Sequence, residues 1–286
     1  MHWHRVVVQV TAEQLDDLEA TLWDLGAVSV TVTDPEDNPI YEPPPGETPL
    51  WDTANVAGLF EETEDLPGIT GGIEEAGYPV LYTEEIADRL WEREWMAGFE
   101  PMKFGRRLWV CPTGFEVDAE DATIIQLDPG LAFGTGTHAT TRMCLEWLDA
   151  NDLAGKRVLD FGCGSGILGI AALLLGAGSV VGIDTDPQAL TATRDNAERN
   201  GVSDRLETSL PGEHPTGYDV VLANILAKPL IDLAPLLSDA MVKGGRLVLS
   251  GILDSQQSWV ESAYEGRIIL TDEAHHDGWT CLHGRR

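Results

Sequence analysis

From Arg157 to Asp184 the chain reads RVLDFGCGSGILGIAALLLGAGSVVGID, and the fold is decided there. Arg157 to Phe161 reads as a strand, and within it Val158 to Phe161 is apolar but for Asp160, the composition of a strand buried on both faces. Gly162, Gly164 and Gly166 follow at two-residue spacing. Glycine lets the backbone approach a ligand closely, and Ile167 to Leu175 continues as an apolar helix whose start presents free N–H groups. Val180 to Asp184 is the next strand. Dinucleotide-binding proteins use the same strand, turn and helix with Gly-x-Gly-x-x-Gly. Here the position of their third glycine is Ile167, so the spacing disfavours NAD.

Downstream, Asp186-Pro187 supplies a helix cap and a proline at the first helical position, and the helix runs to Asn200 and stops at Gly201. Tyr218 to Ala223 is a further strand, Leu230 to Met241 a helix, and Arg246 to Ser250 a strand after the turn Lys243-Gly244-Gly245. Arg267 to Thr271 and Trp279 to His283 close the sheet. Strands alternating with helices from Gly155 onward predict a parallel α/β sheet covered on both faces. In such sheets ligands lie at the carboxyl ends of the strands. Asp184 ends the second strand there, where a carboxylate can accept hydrogen bonds from both hydroxyls of a ribose. Asn224 ends the strand after Tyr218, and its amide can donate and accept. A strand-end turn role is the alternative for each, and Asp186 is assigned to capping.

Upstream, Leu127 to Thr141 carries three glycines, four threonines and His138 in a polar loop able to close over a ligand, before a helix from Thr141 to Leu148. Thr141 can bond a cofactor or cap that helix. For His138, backbone bonding is favoured over a catalytic-base role. The N-terminal region is different. Trp3 to Val10 alternates as a strand, and Thr11-Ala12-Glu13-Gln14 is a capping box for a helix ending at Gly26. Ala27 to Thr33, Val56 to Glu61 and Pro79 to Tyr82 read as strands, with a weak helix from Ile69 to Ala76, a βαββαβ order of ferredoxin type. Thr83 to Gly98 carries Ile86, Leu90, Trp91 and Trp95 at helical spacing, which predicts a connecting helix with its tryptophans in an interdomain seam. The expected organisation is therefore residues 1–83, a linker helix over 84–100, and a second domain over 101–286.

Of the 286 residues 43% are hydrophobic and 23% charged, enough for two cores. There is no apolar run of about 18 residues and no secretory leader pattern at Met1-His2-Trp3-His4-Arg5, so a soluble, cytoplasmic protein is expected. Cys111, Cys144, Cys163 and Cys281 are scattered and suggest neither zinc nor disulfides. His2 with His4, and His275 with His276, lack a second ligand cluster and read as exposed histidines, so no metal is expected. A formal charge of −30 argues against nucleic-acid binding. The acid is spread along the chain, which favours a hydrated surface suited to a salty cytoplasm over steering of a basic partner.

An aspartate before the glycines and an acid ending the second strand are similar to the pattern of class I methyltransferases, which use S-adenosylmethionine on a Rossmann-like seven-stranded sheet. The absence of Pro-Pro-aromatic after Asn224 argues against glutamine or nucleobase acceptors. The run Asp128-Pro129-Gly130-Leu131-Ala132-Phe133-Gly134-Thr135-Gly136-Thr137-His138, with Asp160 to Gly166 and Asn224-Ile225-Leu226-Ala227, resembles one family closely, the ribosomal protein L-eleven methyltransferases (PrmA). Pro43-Pro44-Pro45-Gly46-Glu47-Thr48 and Trp91-Glu92-Arg93-Glu94-Trp95-Met96 extend the likeness over nearly the whole chain. Glu64 to Pro79, short and glycine-rich, is the clearest departure.

The resemblance implies a ferredoxin-like substrate-recognition domain that grips the ribosomal protein, free or in the large subunit. It implies a catalytic domain that methylates lysine side chains and the N-terminal amine. Cofactor contacts carried over by motif are Thr141, Gly162, Asp184 and Asn224, with Gly164 and Gly166 in the loop; no catalytic residue is assigned, and His138 is read from its own position as a positioning residue. Neither a metal nor a membrane is involved, and a monomer is expected. Domain mobility for repeated methylation places a hinge in the Glu84–Gly98 helix. A small-molecule amine N-methyltransferase is disfavoured by an extra domain of about 80 residues. A ribosome-assembly binding module with a structural cofactor is disfavoured because every cofactor element is intact.

Overall fold

In the computed structural model, which describes residues 2–35, 53–61, 65–87, 100–127, 138–212 and 216–286, the alternating N-terminal run forms strand β1 (His2–Thr11). Gln14 Oε1 accepts from the Thr11 N–H at 3.2 Å. A single 3₁₀ turn, Ala12–Gln14, leads from there into α1 (Leu15–Asp24). Leu15, Leu18 and Leu22 recur on one face of α1 and are buried against Val6, Val8 and Val10 of β1. Burying Leu18 or Leu22 completely stabilises the fold by about 2 kcal/mol each. Gly26, at φ 92°, ends the helix.

The remaining elements of this part are β2 (Ser29–Thr33), β3 (Thr53–Glu61), α2 (Leu66–Glu75) and β4 (Val80–Ala87). The sheet is antiparallel with order β2-β3-β1-β4, as the ferredoxin-type reading requires. The glycine-rich α2 does form, and its glycine content has a use: a Cβ on Gly72 would stand 2.8 Å from Leu25 Cδ2. The expected linker helix is corrected at its start. Residues 83–87 are strand, because they pair with His2–Val6 along the free edge of β1. The rest of that helix, with Trp91 and Trp95, lies outside the described residues, as does Pro43 to Thr48.

The chain folds as two compact units, Met1–Trp95 and Met96–Arg286. The second opens with a small sheet absent from the sequence expectations: β5 (Met102–Phe104), β6 (Leu108–Cys111) and β7 (Thr123–Gln126). Then come α3 (Ala139–Ala150), β8 (Arg157–Phe161), α4 (Ile167–Leu174), β9 (Ser179–Ile183) and α5 (Pro187–Arg199). They are followed by β10 (Leu206–Ser209), β11 (Tyr218–Asn224), α6 (Ala227–Asp232) and α7 (Ala234–Ala240). The chain closes with β12 (Met241–Leu253), α8 (Gln257–Tyr264), β13 (Ile269–His276) and β14 (Trp279–Arg285).

The seven-stranded sheet runs β10-β9-β8-β11-β12-β14-β13. The pairs from β10 through β12 are parallel, and β14 is antiparallel to both neighbours. Side chains of α3 and α4 pack on one face with the small sheet, and α6, α7 and α8 cover the other. Chain order reverses between β8 and β11, which places a switch point beside the glycine loop. Ile167, at the position of a dinucleotide enzyme's third glycine, is the first residue of α4 and is buried in the core.

Three further expectations change. The helix Leu230 to Met241 is two helices, because Pro235 cannot donate a backbone N–H and the chain breaks at Leu233. The Lys243-Gly244-Gly245 turn is a bulge inside β12: β11 pairs with Met241 and then with Arg246. The helix expected from Thr141 begins at Ala139 with His138 as its cap, so Thr141 is not a cap. Among the described residues the four cysteines are unbridged, and no helix is long and apolar enough to cross a membrane.

Candidate active site

The carboxyl ends of β10, β9, β8, β11 and β12 stand side by side, so residues remote in sequence share one edge. After β8 the loop turns through Gly162, Gly164 and Gly166 at φ 77°, 54° and 80°, a region costly for other residues. The N–H groups of Gly162 and Cys163 donate to Ile183 O at 2.7 and 3.0 Å, which ties the loop to the end of β9. A Cβ on Gly162 would collide with Ile225 Cγ2, and one on Gly166 would stand 2.8 Å from Thr193 Cγ2. The loop is therefore packed on both sides by residues that follow β11 and line α5.

Two carboxylates flank it. Asp184, one residue past β9, is half-buried. Its Oδ2 accepts from the Gly164 N–H at 2.9 Å and its Oδ1 from the Asp186 N–H at 3.0 Å. Each oxygen keeps a second lone pair for a ligand hydroxyl. Asp160 lies beneath the loop, fully buried; Oδ2 accepts from the Gly169 N–H at 2.9 Å, and Oδ1 has no partner among the described residues. Burial pushes its pKa up to about 7; the Gly169 N–H opposes this and the nearby Asp184 charge adds to it. Desolvation wins over the favourable end of the α4 dipole.

On the other side of the loop, Asn224 Nδ2 donates to Thr141 Oγ1 at 3.3 Å. That bond joins the end of β11 to the first turn of α3. Thr141 is wholly buried, and the preceding Thr140 accepts through its carbonyl from Ser250 Oγ of β12 at 3.2 Å. His138 accepts from the Thr140 N–H through Nδ1 at 3.4 Å, and the same nitrogen is 2.8 Å from Thr140 Oγ1. The ring stands edge-on to Trp279 at 4.9 Å between centroids, and burial lowers its pKa, so it is neutral with Nδ1 committed to the helix start. The structure therefore brings together Gly164 with Asp184, and Thr141 with Asn224, while His138 turns to its own backbone. The loop Asp128 to Thr137 lies outside the described residues. So does the strong motif signal it carries.

Several supporting residues escaped the sequence reading. Helix α5 presents Thr193, Asn196 and, just past its end, Asn200 on one side. Thr193 Oγ1 donates to Gly164 O at 3.0 Å and Asn196 Nδ2 to Ser165 O at 2.9 Å, both in the glycine loop. Asn200 grips Gln126 at the end of β7 from both sides, accepting from its N–H and donating to its carbonyl, each at 2.8 Å. The spacing of 3 and 4 residues was visible, but polar residues so spaced usually mark a solvated face. Gly251, at φ 86°, was also missed. A Cβ there would collide with the Ile225 carbonyl, so Gly251 and Gly162 hold Ile225 between them from β12 and β8. Nothing local marks such a pair, since the partners lie about 90 residues apart.

Among the described residues no group of three or more His, Cys, Asp or Glu is placed to hold a metal. His275 Nδ1 is instead 2.9 Å from Asp254 Oδ1 on a half-exposed hairpin. Along the β9–β8–β11 edge, Asp184 therefore offers carboxylate lone pairs at one end and Asn224 an amide at the other, with the glycine loop between them.

A model of the family described as Ribosomal protein L11 methyltransferase (PrmA) matches residues 2–286. The proteins named ribosomal protein L11 methyltransferase in Serratia proteamaculans and Escherichia coli are 50% and 51% identical to this chain over 294 aligned residues, covering all of each chain. A solved structure, the ribosomal protein L11 methylase of Lactobacillus delbrueckii subsp. bulgaricus, aligns with a TM-score of 0.62 and 31% identity, over 66% of this chain and 99% of that one.

Proposed function

The chain belongs to the ribosomal protein L11 methyltransferase family, and from that premise we propose that it methylates lysine side chains and the N-terminal amine of ribosomal protein L11, using S-adenosylmethionine. The observation that carries the reading is the convergence of Gly162, Gly164, Asp184, Thr141 and Asn224 on one sheet edge, in a chain about half identical to named members along its whole length.

The residues present fit the cofactor. Asp184 has lone pairs for the two ribose hydroxyls, the glycine loop keeps side chains off its path, and Asp160 leaves one buried carboxylate oxygen unpartnered beneath it. When bound, S-adenosylmethionine would supply an electrophilic sulfonium methyl for transfer to a neutral amine. Thr141, Gly162, Asp184 and Asn224 are its proposed contacts, with Gly164 and Gly166 shaping the loop. Asn224, with Nδ2 committed to Thr141, would offer Oδ1 as an acceptor to the bound cofactor.

The chain's own contribution is positioning, worth as much as several kcal/mol when reacting atoms are held in line. The amine must arrive without its third proton, and a neighbouring positive sulfonium favours that loss. His138 holds the α3 start and serves as a positioning residue, because its Nδ1 is already occupied by Thr140. A displacement of this kind needs no metal. The unit Met1–Trp95 is assigned the recognition of the ribosomal protein and Met96–Arg286 the transfer, by a monomer acting in the cytoplasm without membrane or sequence-specific nucleic acid. Labelled cofactor incubated with the full chain and purified ribosomal protein L11 tests the reading. Label on lysine and the N-terminal amine is expected; no transfer, or transfer only to small amines, overturns it.

A further inference from the structure

Ser250 interrupts an otherwise apolar stretch of β12, Leu247-Val248-Leu249-Ser250-Gly251-Ile252, and is wholly buried. A hydroxyl in such a place costs free energy unless it is bonded, and an alanine would fill nearly the same space without that cost. Its bond is the 3.2 Å contact to the Thr140 carbonyl of α3. The Cys144 and Cys281 thiols also lie beside the hydroxyl, but sulfur is the weaker acceptor. Carbonyls in the first turn of a helix find a partner four residues on, so Thr140 does not need the extra bond to be satisfied.

What the bond does is close a ring. Ser250 stands opposite Asn224 in the parallel ladder of β11 and β12. Its carbonyl accepts from the Ile225 N–H at 3.1 Å, its hydroxyl donates to Thr140 O at 3.2 Å, and Asn224 Nδ2 donates to Thr141 Oγ1 at 3.3 Å. One residue thus grips the chain neighbour of each of two proposed cofactor contacts, Ile225 beside Asn224 and Thr140 beside Thr141. Thr140 is held at its N–H by His138 as well. Without the Ser250 hydroxyl, the Asn224–Thr141 bond is the one hydrogen bond of the ring that still ties α3 to the sheet. We propose that Ser250 is a positioning residue for the transfer reaction, setting the spacing between Thr141 and Asn224 at which the cofactor is held. This rests on the proposed cofactor contacts at those two residues. Bonds that share a ring support one another, and a double-mutant cycle apportions them.

The test is Ser250→Ala in the full chain, alone and combined with Asn224→Ala. Calorimetry gives the Kd for S-adenosylmethionine, and transfer to purified ribosomal protein L11 at saturating cofactor gives kcat. Ser250→Ala alone should raise Kd about fivefold, the order of one net hydrogen bond, and leave kcat within about twofold of the parent. In the Asn224→Ala background, where the ring is already open, the same change should raise Kd less than about twofold. A merely structural role would lower Tm and act equally in both backgrounds. Equal effects in the two backgrounds, or an unchanged Kd in Ser250→Ala while Asn224→Ala binds weakly, overturns the assignment. An Asn224→Ala variant that binds as tightly as the parent overturns the proposed cofactor contact instead, and this inference with it.

Discussion

Replacing Asp160 with asparagine should make the protein's stability less sensitive to pH. The carboxyl group is fully buried, its pKa is raised to about 7, and the first cause is loss of solvent. In the unfolded chain the same group titrates near 3.9. Below about pH 4 both states hold the proton, and burial of the neutral acid carries no charge penalty. Between about 4 and 7 the folded state keeps a proton that the unfolded state has released, so stability falls as pH rises. Above about 7 the folded state ionises too, and the whole cost is present. At about 1.4 kcal/mol per pH unit this amounts to ~4 kcal/mol.

Asp160→Asn removes the ionisation and keeps an acceptor for the Gly169 N–H. It also leaves a buried amide N–H₂ where Oδ1 has no partner, which costs about 1–3 kcal/mol at every pH. Urea unfolding followed by circular dichroism from pH 4.5 to 8 separates the two effects, because titrating groups remote from Asp160 cancel between variant and parent. The variant's stability relative to the parent should rise by about 3 kcal/mol across that range. A difference that stays flat with pH would refute the reasoning, since it would mean that Asp160 is ionised throughout.

Asp184→Ala should weaken S-adenosylmethionine binding by about 2 kcal/mol, the scale of charge-assisted hydrogen bonds, and an unchanged affinity by calorimetry would remove Asp184 from the cofactor site. Gly162→Ala should weaken cofactor binding at least tenfold through its collision with Ile225 and its positive φ, by the ~1–2 kcal/mol of a left-handed residue alone. Adding Ile225→Ala should recover part of that loss; no recovery would locate the damage in the backbone. Asn200→Ala removes both bonds to Gln126, and should lower stability by about 2 kcal/mol while speeding hydrogen exchange of the Gln126 amide. Exchange as slow as in the parent would show that the grip is not maintained in solution.

The parts of the fold legible in the sequence are those set by local pattern. The run from Val158 to Phe161 is apolar but for Asp160 because its strand is covered on both faces, and Asp186-Pro187 starts α5 because one caps and the other has its φ already set. The antiparallel N-terminal sheet followed from alternation in Trp3 to Val10. Thr83 to Ala87 went the other way. Its apolar spacing suits a helix, but the unpaired edge of β1 offered a row of hydrogen-bonding partners, and sheet pairing overrode the pattern. The small sheet of β5, β6 and β7 consists of strands of 3 or 4 residues, too short for periodicity to reveal. At the site, Asp184 and Asn224 were visible because each ends a strand. Their partners were not: the Asn224–Thr141 bond spans 83 residues and the Asn200–Gln126 pair 74, and only folding sets such distances.

The side of α5 that carries Thr193, Asn196 and Asn200 works as a ruler. Seven residues of helix fix about 10 Å between the groups that hold the glycine loop and the group that holds the end of β7. Inserting or deleting one residue between them turns the later groups by roughly 100° and lets go of one loop or the other, whatever residue is chosen. Among descendants of this sequence, α5 is thus free to drift in composition on its outer face while its length between Thr193 and Asn200 stays constant.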